Sequence, residues 1–80
     1  MSVDLLEYLA RGLVDDPDAV RVEREEREDG FVVLRLHVAP DDVGKVIGRQ
    51  GRLARALRTV VRAGATRTNE RVTVEIADGE

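Results

Sequence analysis

Apolar residues recur along the chain at two different spacings, and each spacing predicts one kind of secondary structure. Residues 19–27 and 31–38 alternate between apolar and polar positions, as does the segment 71–77, so three β-strands are predicted. Residues 2–14 follow helical spacing instead, and an acidic connector containing proline ends that helix. Four leucines fall within one arc of about 100° on this predicted amphipathic helix: Leu5, Leu6, Leu9 and Leu13.

The length of the turn between the first two strands follows from which residues must face the core. A three-residue loop at 28–30 pairs Val22 with Leu36, so that apolar residues share one face of the sheet. A two-residue turn would instead pair Val22 with His37 and mix the two faces. Three-residue loops place glycine in the left-handed region, which suits Gly30. The same register predicts two further pairs: Val20 with Val38, and Glu23 with Arg35.

The second half of the chain predicts two helices separated by a glycine-containing interruption. Residues 40–47 begin with Pro-Asp-Asp and predict a short helix, and residues 52–63 predict a longer one that ends at Gly64. On the longer helix one side carries Leu53, Leu57, Val60 and Val61, and the opposite side carries Arg55, Arg58 and Arg62. The predicted order is therefore α-β-β-α-α-β. It indicates an α+β fold in which helices pack on one face of a three-stranded sheet.

Composition indicates a single domain spanning residues 1–80 and narrows the possible chemistry. The 80 residues include no cysteine, which excludes both a disulfide framework and a cysteine zinc cluster. Apolar residues make up 42% of the chain, but no apolar run approaches the roughly 20 residues that span a bilayer. No signal-peptide pattern opens the sequence. We therefore expect a cytoplasmic protein without a membrane partner, metal or cofactor.

The charges are unevenly distributed, although the formal net charge is only −3. Residues 1–42 hold 12 acids and 5 bases, whereas residues 43–80 hold 8 bases and 4 acids, which gives −7 and +4. Residues 43–68 carry seven bases and no acid at all. Helices often expose arginine to solvent, but this tendency does not explain why every acid is missing over 26 residues. We expect one face suited to an anionic partner.

The segment between the two later helices has the composition of a phosphate-binding loop. Gly48 and Gly51 allow a tight turn and let the backbone of a ligand approach closely. The helix that follows points its unpaired N–H groups and its positive dipole end at this loop. Arg49 and Gln50 at the tip can reach phosphate oxygens. The predicted contacts with a sugar-phosphate chain are Lys45, Gly48, Arg49, Gln50, Gly51, Arg52 and Arg55.

Other phosphate-binding motifs and enzyme sites fit this sequence less well. A Walker loop needs Ser or Thr after its Gly-Lys, whereas Lys45 is followed by Val46, and the dinucleotide fingerprint has a different glycine spacing. His37 is the only histidine, and the predicted register puts it beside Arg21 on the outer face of a strand, with no carboxylate nearby. Ser2 is the only serine and suits a helix cap. We therefore expect no catalytic residues.

A known family shares these features. The segment 46–53, Val-Ile-Gly-Arg-Gln-Gly-Arg-Leu, resembles the KH-domain signature, and the order of elements is that of the type II KH fold. The wider segment 42–59 resembles the KhpA family of small stand-alone bacterial KH proteins. This resemblance implies a mixed sheet whose first strand is central and parallel to the last. It also implies a groove in which the loop 48–51 clamps about four nucleotides of single-stranded RNA, with Ile47 in its floor.

The expected function is therefore non-catalytic binding of single-stranded RNA, as an RNA chaperone or post-transcriptional regulator. Because only Tyr8 and Phe31 are aromatic, we expect little base stacking and modest sequence specificity. Single-stranded DNA stays open as a ligand, because such a loop contacts the backbone more than the 2′-hydroxyl. The alternative is a protein-interaction subunit that reaches RNA mainly through a larger KH-containing partner, or that forms a homodimer. Phe31 and Val33 on the outward phase of their strand favour it.

Overall fold

The computed structural model describes residues 2–66 and 71–77. Within these residues the elements follow the predicted order α-β-β-α-α-β, which confirms the α+β class. They are the helix α1 (Ser2–Arg11), the strands β1 (Arg21–Glu26) and β2 (Phe31–His37), the helices α2 (Val43–Ile47) and α3 (Arg52–Thr66), and the strand β3 (Arg71–Ile76). Short 3₁₀ turns at Pro17–Ala19, Pro40–Asp42 and Arg49–Gly51 precede β1, α2 and α3.

The three strands form one mixed sheet in the order β1-β2-β3. β2 pairs antiparallel with β1 and parallel with β3, so β2 is the central strand. The expectation that the first strand is central and parallel to the last is therefore wrong. β1 is highly charged and mostly exposed, whereas β2 buries four of its seven residues. A charged strand suits the edge of a sheet, where it also discourages pairing with other molecules.

The turn between β1 and β2 has the predicted length. The N–H of Arg27 donates to the carbonyl oxygen of Phe31 over 2.8 Å, which leaves three residues in the loop. Gly30, the last of them, has a φ of 84° in the left-handed region. Val20 and Val38 lie just outside the paired strands and are both buried. The register is confirmed by the two predicted pairs within the strands: Val22 with Leu36, and Glu23 with Arg35.

The core lies between the helices and one face of the sheet. The largest fully buried side chains in this core come from both layers: Leu6, Leu34, Leu36, Val46 and Val61. β3 contributes Val72 and Val74, the inward positions that the alternation predicts. The predicted packing of helices on one face of the sheet is confirmed.

The opposite face of the sheet is covered by charged side chains. Val33 lies on this face, away from the core as predicted, yet it is only 2% exposed. Two positions along β2, Arg35 reaches Glu25 at 3.4 Å and Glu75 at 3.3 Å, on the strands to either side. No helix of the described residues packs on this face, so long side chains of the three strands must cover the valine. Val33 is therefore not available to a protein partner.

α3 presents three different sides. Arg58 does not point away from the core, because its Nε donates to the carbonyl oxygen of Val74 over 3.0 Å. The prediction that Val60 lies on the inward side is wrong, because it is 45% exposed, and Leu53 is half-buried. A core side, a basic flank beside β3 and an apolar flank beside α1 therefore divide the helix. The core side consists of Ala54, Leu57, Val61 and Ala65.

The prediction that Gly64 ends α3 is wrong, because the helix continues to Thr66. A Cβ atom at position 64 would lie 3.4 Å from Cδ2 of Leu5 on α1. The glycine thus stands where two helices approach closely. A local pattern does not distinguish such a tertiary contact from a helix terminus.

We expect Gly64→Ala to raise the free energy of unfolding by about 0.5–1 kcal/mol. Alanine is the better helix former, and its methyl group would meet Leu5 at ordinary contact distance. Urea denaturation followed by circular dichroism measures the change. Gly64→Leu is the contrasting variant, because its extra carbons have to displace Leu5, so it should be less stable than the wild type. A Gly64→Ala variant less stable than the wild type would contradict the packing described.

Candidate functional site

The loop 48–51 takes an unusual backbone path between α2 and α3. Gly48 has φ 75° and ψ 176°, Gln50 has φ 55° and ψ 27°, and Gly51 has φ 73°. Gln50 is the one residue other than glycine with a positive φ in the part of the chain that the structure describes. The N–H of Gly51 donates to the carbonyl oxygen of Gly48 over 3.3 Å. Positive φ at three of the four positions excludes most side chains from this path.

Gly48 is the residue on which this path depends most. Its combination of φ and ψ is adopted almost only by glycine. A Cβ atom there would lie 2.7 Å from Cβ of Leu53 and 3.0 Å from its backbone nitrogen. The first turn of α3 therefore lies directly against the end of α2, and the residues between them project into solvent.

The loop exposes its central side chains where α3 begins. Arg49, Gln50 and Arg52 are exposed and line a shallow hollow. Arg55 reaches back to the loop, since its Nη1 lies 3.8 Å from where a Cβ atom of Gly51 would stand. α3 is 15 residues long, so the positive end of its dipole adds to the charge of these arginines. The arrangement can bind phosphate groups through both side chains and backbone N–H groups.

α2 places a predicted groove residue beside this loop. Ile47 is the last residue of α2 and is half-buried, whereas Val46 before it is fully buried. The N–H of Gly48 donates to the carbonyl oxygen of Gly44 over 2.9 Å and closes the helix. Ile47 thus presents part of its apolar side chain to solvent directly before the loop.

Lys45, the remaining predicted contact, is engaged in an ion pair. Its Nζ lies 2.8 Å from Oδ2 of Asp15 and 3.9 Å from Oδ1 of Asp42. The hydrogen bond to Asp15, with the negative charge of that carboxylate, raises the pKa of Lys45 above its ordinary value. A phosphate group that binds Lys45 therefore competes with Asp15.

Asp42 organises this corner of the molecule, and sequence reasoning missed it. It is 2% exposed and accepts the backbone N–H groups of Asp15 over 3.2 Å and of Asp16 over 3.1 Å. These bonds satisfy a carboxylate that would otherwise be costly to bury. The acidic connector after α1 is thus anchored to the start of α2. No local pattern pairs residues 27 positions apart.

A row of arginines continues along α3 from the loop. Arg55, Arg58 and Arg62 lie within an arc of roughly 60° on the helix. Because Arg58 donates to the backbone of β3, this row borders the junction between α3 and the edge of the sheet. The sequence places Arg58 and Arg62 on a basic side but does not reveal which side faces β3. For that reason neither was among the predicted site residues.

His37 lies away from the loop, on the strand β2, and forms a hydrogen bond with a neighbouring strand. The prediction that no carboxylate lies near His37 is wrong, because its Nε2 is 2.8 Å from Oε1 of Glu23. The hydrogen bond with His37 lowers the pKa of the Glu23 carboxyl below its ordinary value.

Among the residues described, no group of three or more His, Cys, Asp or Glu side chains is placed to hold a metal ion. None of the described helices combines the length and apolarity needed to cross a membrane.

Comparison with known proteins gives matches along almost the whole chain. Residues 3–76 match the family described as KhpA/KhpB, KH domain. The RNA-binding protein KhpA of Clostridium acetobutylicum is 54% identical over 72 residues, which cover 90% of this chain and 95% of that protein. KhpA of Halalkalibacterium halodurans is 53% identical over 75 residues, covering 92% and 96%. KhpA of Bacillus subtilis is 48% identical over 75 residues, covering 94% and 91%.

Two solved structures share the fold. A variant of Aquifex aeolicus Era bound to GDP·AlF4− has a TM-score of 0.63 at 15% identity, over 94% of this chain and 29% of that one. Era in complex with MgGDPNP and nucleotides 1506–1542 of 16S ribosomal RNA has a TM-score of 0.64 at 15% identity, over 94% and 28%. The chain thus spans less than a third of Era, and likeness at this identity concerns the fold alone.

We expect Gly48→Ala to lower the free energy of unfolding by about 2 kcal/mol or more, because the new Cβ meets Leu53 in a strained backbone conformation. Gly44→Ala in α2 is the matched control. Nothing lies within 4 Å of its Cβ position, so this variant should be as stable as the wild type or slightly more stable. Urea denaturation compares the two. Equal stabilities would contradict the loop geometry.

Proposed function

The chain belongs to the KhpA/KhpB family of KH domains, and we propose that it binds single-stranded RNA without catalysing a reaction. Its relatives are named RNA-binding proteins and align with it over nearly their full length. The observation that carries the proposal is the loop 48–51. It exposes an arginine and backbone donors at the start of α3. The charged residues of this helix are four arginines and no acid: Arg52, Arg55, Arg58 and Arg62.

In the proposed complex the loop holds the sugar-phosphate backbone of about four nucleotides. Arg49 and Gln50 reach phosphate oxygens. Gly48 and Gly51 keep the loop free of bulk where the strand passes close to the protein backbone. The flanking contacts are Lys45, Ile47, Arg52 and Arg55, of which Ile47 lies under the bases.

Weak discrimination between bases suits an RNA chaperone or post-transcriptional regulator that acts on many strands in the cytoplasm. The two aromatic residues lie away from the loop: Tyr8 is 76% exposed on α1, and Phe31 begins β2. Without an aromatic platform beside the loop, affinity there rests on backbone contacts, which do not distinguish sequences. By the same reasoning, single-stranded DNA is the second ligand to test.

A protein-interaction subunit is the second candidate, and an apolar groove favours it. The groove lies between α1 and α3 and is lined by Leu9, Leu13, Leu53, Ala56, Leu57 and Val60. It occupies the flank of α3 that carries no arginine. A second copy of the chain, or a larger KH-containing protein, would lie on that flank and leave the loop 48–51 open. RNA affinity would then depend on the partner.

We expect the double variant Arg49→Asp, Gln50→Asp to weaken binding of a 12-nucleotide single-stranded RNA by roughly a hundredfold, because two carboxylates would face the phosphates. Fluorescence anisotropy across a salt series measures the affinity. For the wild type, the logarithm of the binding constant should fall by about 0.7 per phosphate contact for each tenfold increase in salt.

The matched control is Tyr8→Asp, Arg11→Asp on the exposed surface of α1, which makes the same change in net charge. It should retain most of the wild-type affinity. A folded Arg49, Gln50 variant that binds as tightly as this control would refute the proposal. A wild-type chain with no RNA affinity at any salt concentration would favour the protein-interaction subunit.

Asp15→Asn should strengthen RNA binding by roughly threefold to tenfold, because it releases Lys45 for one more charged contact with phosphate. The slope of the logarithm of the binding constant against the logarithm of the salt concentration should become steeper by about 0.7. Asp18→Asn is the matched control, since it removes the same charge from the same exposed connector without touching Lys45. If both variants gain RNA affinity equally, Lys45 is not a phosphate contact. The same follows if Asp15→Asn raises the affinity as much in a Lys45→Gln background as in the wild type.

A further inference from the structure

A second basic cleft lies at the far end of α3 from the loop 48–51. It is lined by the last turns of α3 and the first residues of β2 and β3: Phe31, Arg62, Thr66, Arg71 and Val72. None of these residues belongs to the site proposed above. Arg62, Thr66 and Arg71 are exposed, and the ring of Phe31 is half-buried.

The cleft combines an aromatic ring with two arginines. Cζ of Arg71 lies 5.7 Å from the centroid of the Phe31 ring. Nη2 of Arg71 donates to the backbone carbonyl of Asp29 over 3.3 Å, which holds the guanidinium beside the ring and leaves further donors for a ligand. The Asp29 carboxylate accepts the N–H of Phe31 over 2.9 Å. Among the described residues, no carboxylate lies within ion-pair distance of Arg62 or Arg71.

The basic flank of α3 connects this cleft to the loop. Arg55, Arg58, Arg62 and Thr66 fall within an arc of about 80°, so they follow one line along the helix. Arg62 lies ten residues after Arg52, which is about 15 Å of helix rise. α3 contributes no acidic residue along this line. The side chains that α3 presents to a strand leaving the loop along this flank are therefore all positive or neutral.

We propose that this cleft is a second contact site for the same single strand, one that takes a nucleotide beyond those held by the loop. Arg62 and Arg71 bind its phosphate, and Phe31 with the Arg71 guanidinium supplies a surface on which its base stacks. This inference rests on the proposed function, because the loop must hold the strand for the flank to guide it. A ring contributes nothing to the binding of an isolated anion, whereas a base stacks on it, so the combination favours a nucleotide.

The length of the strand provides the test. With ¹⁵N-labelled wild-type protein, an oligouridine of four nucleotides should shift only the amide resonances of the loop 48–51 and of its flanking segment, residues 45–55. An oligouridine of twelve nucleotides should also shift those of Phe31, Arg62 and Arg71. Shifts confined to residues 45–55 with the longer strand would overturn the proposal.

Variants separate the contributions of charge and stacking. Arg62→Gln, Arg71→Gln should weaken binding of the twelve-nucleotide strand by roughly tenfold. The slope of the logarithm of the binding constant against the logarithm of the salt concentration should become shallower by about 0.7, because the two arginines contact one phosphate. Phe31→Leu keeps an apolar side chain, so it should weaken binding of that strand roughly fivefold without changing the salt dependence. Neither variant should alter binding of the four-nucleotide strand by more than about twofold. The control Arg11→Gln, Arg21→Gln removes two exposed arginines from α1 and β1.

Failure of this inference is distinguishable from failure of the proposed function. If Arg62→Gln, Arg71→Gln matches its control on the long strand, or weakens both strands equally, the cleft is not a second contact site. Unchanged affinity of Phe31→Leu would overturn the base contact. If the variant Arg49→Asp, Gln50→Asp binds neither the four-nucleotide nor the twelve-nucleotide strand, the proposed function is upheld in each of these cases. A wild-type chain that binds neither strand would overturn both proposals. A shift at Phe31, Arg62 and Arg71 with an acidic peptide, but not with the long strand, would identify a protein ligand instead.

Discussion

Asp42 joins the two halves of the chain. It is the one charged residue buried among those described, and its carboxylate accepts the backbone N–H groups of Asp15 and Asp16. A carboxylate buried as deeply as this one would cost about 1–3 kcal/mol or more if it lost these partners. The connector after α1 is thereby held against the first turn of α2, and α2 sets where the loop 48–51 begins. The site thus depends on a hydrogen-bonded carboxylate as well as on apolar packing.

α3 brings the functions of the molecule together on one element. Its core side packs on the sheet, its basic flank lies beside β3, and its apolar flank faces α1. Arg58 shows how the first two are coupled, because its bond to Val74 fixes the rotation of the helix relative to the edge strand. A nucleic acid and a protein partner would therefore contact the same helix without overlapping.

Local signals explain which features could be predicted. Strand alternation leaves only one loop length that keeps Val22 and Leu36 on the same face, so the register of β1 and β2 followed from the sequence. Glycine spacing and charge likewise located the loop 48–51. The central position of β2 was missed, although its continuous apolar run at 31–34 is the signal of a strand buried on both faces.

The remaining incorrect or missing predictions concern contacts between residues that are distant in sequence. Gly64 lies in a helix because it packs beside Leu5, and Asp42 is buried because it binds the connector after α1. Neither partner is near in sequence. The side of α3 that faces β3 depends in the same way on tertiary packing, so Arg58 and Arg62 could be recognised as basic but not placed.

The uneven distribution of charge has different effects at different ranges. The molecule measures 33 × 21 × 20 Å, and the acidic strand β1 and the strand that contacts Arg58 lie at opposite edges of the sheet. At 0.15 M salt the Debye length is about 8 Å, so an approaching polyanion responds only to the arginines nearest to it. At 0.01 M it is about 30 Å, and the net charge of −3 also acts on the polyanion and repels it. Moderate salt therefore screens the repulsion between a nucleic acid and the acidic half of the molecule, while the basic half still attracts the nucleic acid at close range.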